Sequence, residues 1–130
     1  MNPSPQASIF IIEDDPHFRE TFVDVMSLRD VPVRGAGSGE EGLRALRDAR
    51  PSVIILDVRL PDIHGFDVCR RIKGMEAFKD TPVVFVTAEA GGNDSREQAE
   101  GLSAGASLFL PKPIMMERLW AEIEPLFARS

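Results

Sequence analysis

Cysteine occurs once in the 130 residues, at Cys69, with no CxxC spacing and no cysteine–histidine cluster around it. An internal disulfide scaffold and a structural zinc site are therefore excluded, and redox chemistry is not expected. No apolar run approaches the roughly 20 residues of a membrane span. The opening Met1-Asn2-Pro3-Ser4-Pro5 lacks the basic and apolar regions of a signal peptide, so a cytoplasmic location without membrane association is expected. Positive charge is in deficit, with 15 Lys and Arg against 21 Asp and Glu and a net charge of −6. That balance opposes long-range attraction to a phosphate backbone and argues against direct nucleic-acid binding. Internal repeats and low-complexity tracts are missing, and Gly91-Gly92 is not continued into a GxGxxG or GxxxxGK phosphate loop. What is present is a globular composition, 43% hydrophobic and 28% charged, on a chain long enough for one core. A short tail, residues 1–6, followed by a single domain, residues 7–130, is the organisation expected.

Short β-branched runs alternate with helical periodicity throughout. Ala7–Ile12 reads as a buried strand that ends in Glu13-Asp14-Asp15. Asp15 then caps a helix with Pro16 at its first position and Phe18, Phe22, Val25 and Met26 on one face. Val31–Ala36 is a weaker, edge-like strand, and Ser38 with Glu41 forms a capping box for a helix through Leu43, Leu46 and Ala49. Val53–Leu56 leads to Asp57, and after the turn Pro61–Gly65 a helix carries Phe66, Val68, Cys69 and Ile72. Pro82–Thr87 gives a fourth strand, Asp94 with Glu97 a second capping box for a helix marked by Ala99, Leu102 and Ala104, and Ala106–Leu110 a fifth strand. Pro113 admits a last helix with Met116, Leu119, Trp120 and Ile123 inward, and Pro125 predicts a kink or an end near Glu124. Five strand–helix pairs with apolar strands predict a doubly wound α/β domain with a parallel five-stranded sheet and five helices.

In such sheets ligands bind beyond the carboxyl ends of the strands. Those ends carry Glu13 and Asp14, Asp57, and Thr87, with Lys112 following the fifth strand. Carboxylates gathered in a partly desolvated cleft raise one another's pKa unless a cation compensates. With oxygen donors only, Mg2+ suits the set better than Ca2+. A metal, a central carboxylate, a hydroxyl and an ammonium together form a phosphoryl-transfer kit, with Asp57 as nucleophile, Thr87 as hydrogen-bond donor and Lys112 neutralising phosphoryl oxygens. The competing reading of Asp57 is a solvated turn aspartate. His17 and His64 are read as ordinary polar residues, Cys69 as packing, and Trp120 with Met115-Met116 as a helix face more readily than an interface.

The segments Glu13-Asp14-Asp15, Leu56-Asp57-Val58-Arg59-Leu60-Pro61 continuing to Gly65, Val86-Thr87-Ala88, Gly105-Ala106 and Leu110-Pro111-Lys112-Pro113 resemble the receiver domain of bacterial two-component response regulators, over about Ser8 to Phe127. The resemblance implies a flavodoxin-like sheet of order 2-1-3-4-5, a receiver domain over 7–130, and a binding module that is not an enzyme. It implies that Asp57 accepts a phosphoryl group from the phosphohistidine of a histidine kinase or phosphotransfer protein. It further implies Mg2+ on Asp14, Asp57 and the backbone carbonyl of Arg59, with Glu13 acting through water. Thr87 and Lys112 would read the phosphate, and Phe109 would turn inward as Thr87 moves. The face formed by helix four, strand five and helix five would then control a downstream partner or an attached output domain, or support a dimer.

Three departures from the family pattern accompany this reading. Glu13 stands where Asp is commoner, the stretch from Thr87 to Lys112 is long with Gly91-Gly92-Asn93 as the extra loop, and Arg59 with Glu89 would pair across the site's mouth and obstruct attacking water. Competing functions are an interaction module that signals without phosphorylation, a small phosphatase with Asp57 as nucleophile, and a flavin-binding domain. Arg59 stands where the phosphatase needs a second acid. Glu13-Asp14-Asp15 would repel a flavin phosphate.

Overall fold

Runs such as Ile-Phe-Ile-Ile and Val-Ile-Ile-Leu, apolar at every position, bury both faces of a strand only when helices cover both sides of the sheet. The computed structural model, which describes residues 7–88 and 95–127, shows that arrangement. The elements are β1 (Ile9–Ile12), α1 (Pro16–Ser27), β2 (Val33–Ala36), α2 (Gly39–Ala49), β3 (Val53–Leu56), α3 (Gly65–Lys73), a 3-10 turn (Glu76–Phe78), β4 (Val83–Ala88), α4 (Ser95–Ser103), β5 (Leu108–Lys112) and α5 (Met116–Phe127). The five strands are parallel in the order β2-β1-β3-β4-β5, the doubly wound topology expected. Phe10, Ile12, Ile54, Leu56 and Phe85 pack on one face against Leu46, Phe66, Val68 and Ile72. The alternate residues Ile9, Ile11, Val53, Ile55, Val84 and Val86 pack on the other against Phe22, Met26, Leu119 and Ile123.

Helix starts follow the sequence. Asp15 accepts from the backbone N–H groups of His17 and Phe18, and Ser38 accepts from Glu41. His64 has the structural role expected of it: its Nδ1 caps α3 by accepting the Phe66 N–H at 3.1 Å. Asp62 adds a cap from a distance, its two oxygens accepting from Gly39 and Glu40 at 2.8 and 2.9 Å, which fastens the turn after β3 to the start of α2. Those backbone N–H groups, that of Glu40 first, hold the Asp62 carboxyl below the ordinary carboxylate range. Residues 1–6, Glu89, Gly91-Gly92-Asn93 and Asp94 lie outside the described residues, so the tail, the extra loop and the Asp94 cap are not placed.

Several boundaries and faces differ from the sequence reading. β1 and β2 begin at Ile9 and Val33, because the pairing starts where the Ile9 N–H donates to the Pro32 carbonyl. β5 lies two residues further on than expected: Ala106 donates to Gly101 to close the end of α4, so strand pairing starts at Ser107 and Leu108. Lys112 is therefore the last residue of the strand, and Pro111 is tolerated because β5 is an edge. α4 turns Leu102 outward, 43% exposed, and buries Gly101 instead, where an added Cβ would stand 2.8 Å from the Phe109 ring. α5 does not end near Glu124 but runs through Pro125 to Phe127. The lost N–H bond is offset by burial of Leu126 and by Phe127 packing on Trp120 at 5.8 Å.

Two expected results arise from the packing. Gly65 begins α3 so close to the preceding strand that an added Cβ would lie 2.3 Å from the Asp57 carbonyl oxygen and 2.6 Å from the Val58 Cα. Both neighbours are backbone, so neither can swing aside. Gly65→Ala should cost about 1–3 kcal/mol, read as a lower denaturant midpoint at unchanged slope. Cys69 is fully buried with its Sγ donating to the Ala104 carbonyl at 3.5 Å, and burial pushes its thiol up to about 11. The native thiol should therefore resist alkylation at neutral pH and react only on unfolding; rapid native-state labelling would contradict the packing.

Candidate functional site

Parallel register brings the polar residues together. Ile12 pairs with Leu56 and Leu56 with Phe85, so Glu13 and Asp57 emerge side by side at the strands' carboxyl ends. Thr87 and Ala88 of β4 pair with Pro111 and Lys112 of β5, which sets the ammonium at the same level. Glu13, Asp57 and Thr87 are the buried polar residues of the described chain, at 2%, 7% and 1% exposure, whereas Asp14 is open to solvent.

The two oxygens of Asp57 differ. Oδ1 accepts from the Thr87 hydroxyl at 2.8 Å and from the Arg59 backbone N–H at 3.2 Å. Oδ2 faces the Lys112 ammonium at 3.6 Å. That ammonium is bonded to Glu13 Oε1 at 2.5 Å and lies 4.5 Å from the centre of the Phe18 ring. Glu13 Oε2 accepts from the Asp15 N–H at 3.0 Å. Burial, together with the neighbouring Asp57, pushes the Glu13 carboxyl up to about 7 against the pull of Lys112 and the Asp15 N–H. Ligand oxygens of Glu13, Asp14 and Asp57 all lie within 4.8 Å of one another. Chemically, the set can hold a hard cation on oxygen and present a carboxylate oxygen as nucleophile beside a hydroxyl and an ammonium.

Glu13, Asp14, Asp57, Thr87 and Lys112 thus converge as the strand-end argument requires, and the Arg59 backbone N–H joins them on Asp57 Oδ1. Phe109 sits on β5 in register with Phe85 of β4. Its partly buried ring lies 5.8 Å from Phe85 and against Gly101 of α4. The side chain of Arg59 takes partners the sequence reading did not assign. Its Nη1 donates to the Thr87 hydroxyl at 3.1 Å and to the Ala88 carbonyl at 2.7 Å, and its Nη2 pairs with Glu97 at 2.7 Å. In the sequence Glu97 has a local explanation as a helix-start residue, and a contact spanning 38 positions leaves no mark in spacing. Asp62 escapes sequence reasoning for the same reason.

The family model of the response regulator receiver domain matches residues 9–124. The chain is 38% identical over 123 residues to the transcriptional regulatory protein AfsQ1 of Streptomyces coelicolor, covering 95% of this chain and 52% of that protein. It is 34% identical over 122 residues to the response regulator MprA of Mycobacterium tuberculosis, covering 94% and 51%. It also superposes on the chemotaxis response regulator CheY4 of Vibrio cholerae with a TM-score of 0.86 at 26% identity, over 94% of this chain and 99% of that one. The fold defines a doubly wound signalling module of the CheY-like kind. The chain belongs to the response regulator receiver domain family of two-component systems. It spans about half the length of the curated relatives it matches.

Proposed function

We infer that this chain is a phosphoacceptor switch in which Asp57 takes a phosphoryl group from the phosphohistidine of a histidine kinase or phosphotransfer protein. The observation that carries this reading is a buried carboxylate with a hydroxyl donor on one oxygen and an ammonium by the other. A carboxylate oxygen of Asp57 attacks phosphorus, the P–O bond forms as the P–N bond breaks, and the imidazole nitrogen keeps the electron pair. Water later attacks the same phosphorus, and the Asp57 carboxylate leaves. Lys112 and Thr87 contact the acceptor before transfer and are placed to meet phosphoryl oxygens after it. The phosphoryl group rests on the protein until water removes it, and the modified protein is itself the signal.

The donor set fits Mg2+: hard oxygens only, one exposed acid, and a second buried acid already bonded to Lys112. Asp14, Asp57 and the Arg59 carbonyl would hold the ion, with Glu13 acting through water. Bound there, Mg2+ supplies charge neutralisation for the phosphoryl oxygens.

The output reading rests on the surface of α4, β5 and α5. Leu102 and Met115 are exposed there, at 43% and 72%, and a groove of about 320 Å³ runs between Leu110, Pro113, Ile114, Met115 and Arg118. This face would engage a downstream partner, an attached output domain or a second copy. Among the described residues no helix is long and apolar enough to cross a membrane. Intact-mass measurement after incubation with acetyl phosphate and Mg2+ tests the reading: one acid-stable, base-labile phosphoryl adduct on Asp57 is expected, and no adduct from any small phosphodonor would overturn it.

A further inference from the structure

We propose that Arg59 is a cation shared between helix α4 and the phosphorylation site, fastened to Glu97 while Asp57 is unmodified and drawn to the phosphoryl group once it forms. Esterification would thereby loosen the first turn of α4. The inference rests on the phosphoacceptor reading and adds the route by which that site reaches the helix.

Four observations support it. The guanidinium is one hydroxyl away from the acceptor: Thr87 Oγ1 receives Arg59 Nη1 at 3.1 Å while donating to Asp57 Oδ1 at 2.8 Å. When that hydroxyl turns its proton to a phosphoryl oxygen, the group that now separates Arg59 from Asp57 is rearranged. The competing anions are also unequal. Glu97 is a carboxylate with 18% of its side chain exposed and offers one oxygen at 2.7 Å, whereas an aspartyl phosphate carries about −1.5 to −2 charges and three strong acceptors. A planar five-donor fork suits that geometry better than a point charge would.

The helix at the other end is thinly held. Of the nine residues of α4 only Gly101 is buried, and a Cβ there, near the C-terminal end, would run into the Phe109 and Phe66 rings. Glu97 stands in the first turn, where none of the described residues is buried, so the pair with Arg59 ties that turn to the site. Finally, the Arg59 Nη1 bond to the Ala88 carbonyl at 2.7 Å gives the guanidinium a fixed pivot at the end of β4, from which it can change acceptors without leaving the site. Arg59 acts here as a positioning residue for α4, and Glu97 competes with the phosphoryl group for it.

Linkage requires the competition to be reciprocal: whatever phosphorylation does to the Arg59–Glu97 pair, the pair does to phosphorylation. Beryllofluoride with Mg2+ serves as a reversible phosphoryl mimic, and its affinity can be titrated by fluorescence of Trp120 or by NMR on the full chain. Glu97→Gln should tighten beryllofluoride binding about fivefold and speed hydrogen exchange of the α4 amides in the unmodified protein. Arg59→Ala should weaken binding, and adding Glu97→Gln to it should then change nothing. Arg59→Lys, which keeps the charge and loses the fork, should fall between wild type and Arg59→Ala.

A general loosening of the helix would change binding equally whether Arg59 is present or has been replaced by alanine, so a Glu97→Gln effect that survives Arg59→Ala overturns the proposal. Equal affinities of wild type and Glu97→Gln overturn it as well. Both results leave the phosphoacceptor reading standing, because the wild type still binds the mimic. Wild-type protein that binds no beryllofluoride would remove that reading and this inference together.

Discussion

Asp57→Asn is expected to abolish phosphoryl uptake from acetyl phosphate while leaving the fold intact. The carboxamide is nearly the same shape, and its oxygen can still accept from the Thr87 hydroxyl and the Arg59 N–H that bond Oδ1. What disappears is the anionic oxygen that attacks phosphorus and the attraction for Lys112, 3.6 Å away. One carboxylate also leaves a cleft where Asp57 adds to the cost that burial already sets on ionising Glu13, so the Glu13 carboxyl should titrate below the value near 7 that it holds beside Asp57. Intact mass with and without acetyl phosphate checks the first result, and carboxyl-carbon NMR titration checks the second. An adduct of equal yield in Asp57→Asn would move the acceptor to another residue, with Glu13 and Asp14, whose ligand oxygens lie within 4.8 Å, as the candidates.

The largest structural effect is expected from Phe85→Ala. Phe85 is fully buried in the central part of β4, meets Phe66 edge-on at 5.3 Å and lies 5.8 Å from Phe109. Truncation removes the transfer free energy of the ring and leaves a cavity between two rings that cannot close fully. A loss of about 3–5 kcal/mol is expected, a large share of the roughly 5–15 kcal/mol that holds a domain together. The same cavity gives Phe109 space to move inward without any change at Thr87, which would separate the motion of the ring from phosphorylation. Urea unfolding measures the first effect, and exchange of the Phe109 ring signals measures the second. A cost below about 1 kcal/mol would mean that Phe66 and Phe109 refill the space, and the aromatic row would not then be a rigid link.

Much of the site was legible because its parts are local. A strand signal, an acid at its end and a capping residue after it lie within a few positions of one another, so Ile9–Ile12 with Glu13 and Asp14, and Val53–Leu56 with Asp57, could be read directly. The core faces were legible for the same reason, since alternation on β1 and β3 distributes Phe10 and Ile12 to one side and Ile9 and Ile11 to the other. Errors fell where a distant contact outweighed a local preference. Of the kink or end that Pro125 favours, the end does not occur, because buried Leu126 and the Phe127–Trp120 contact carry α5 onward. Leu102 favours burial, but the Phe109 ring admits only the hydrogen side chain of Gly101 at the α4 contact.

The amino-acid sequence by itself determined the doubly wound class, the strand ends that carry acids, and the residue types able to hold a cation and accept a phosphoryl group, since hydrophobic period and side-chain chemistry are properties of short segments. Only the tertiary structure decided how those groups partner: that Lys112 bonds Glu13 at 2.5 Å and stands further from Asp57, that Arg59 spans to Glu97 across 38 positions, and that Asp62 caps a helix 22 positions earlier. Such pairings depend on how the crossovers bring strand ends and helix starts into one neighbourhood, and ion pairs at that range follow distance in space, to which spacing along the chain is blind.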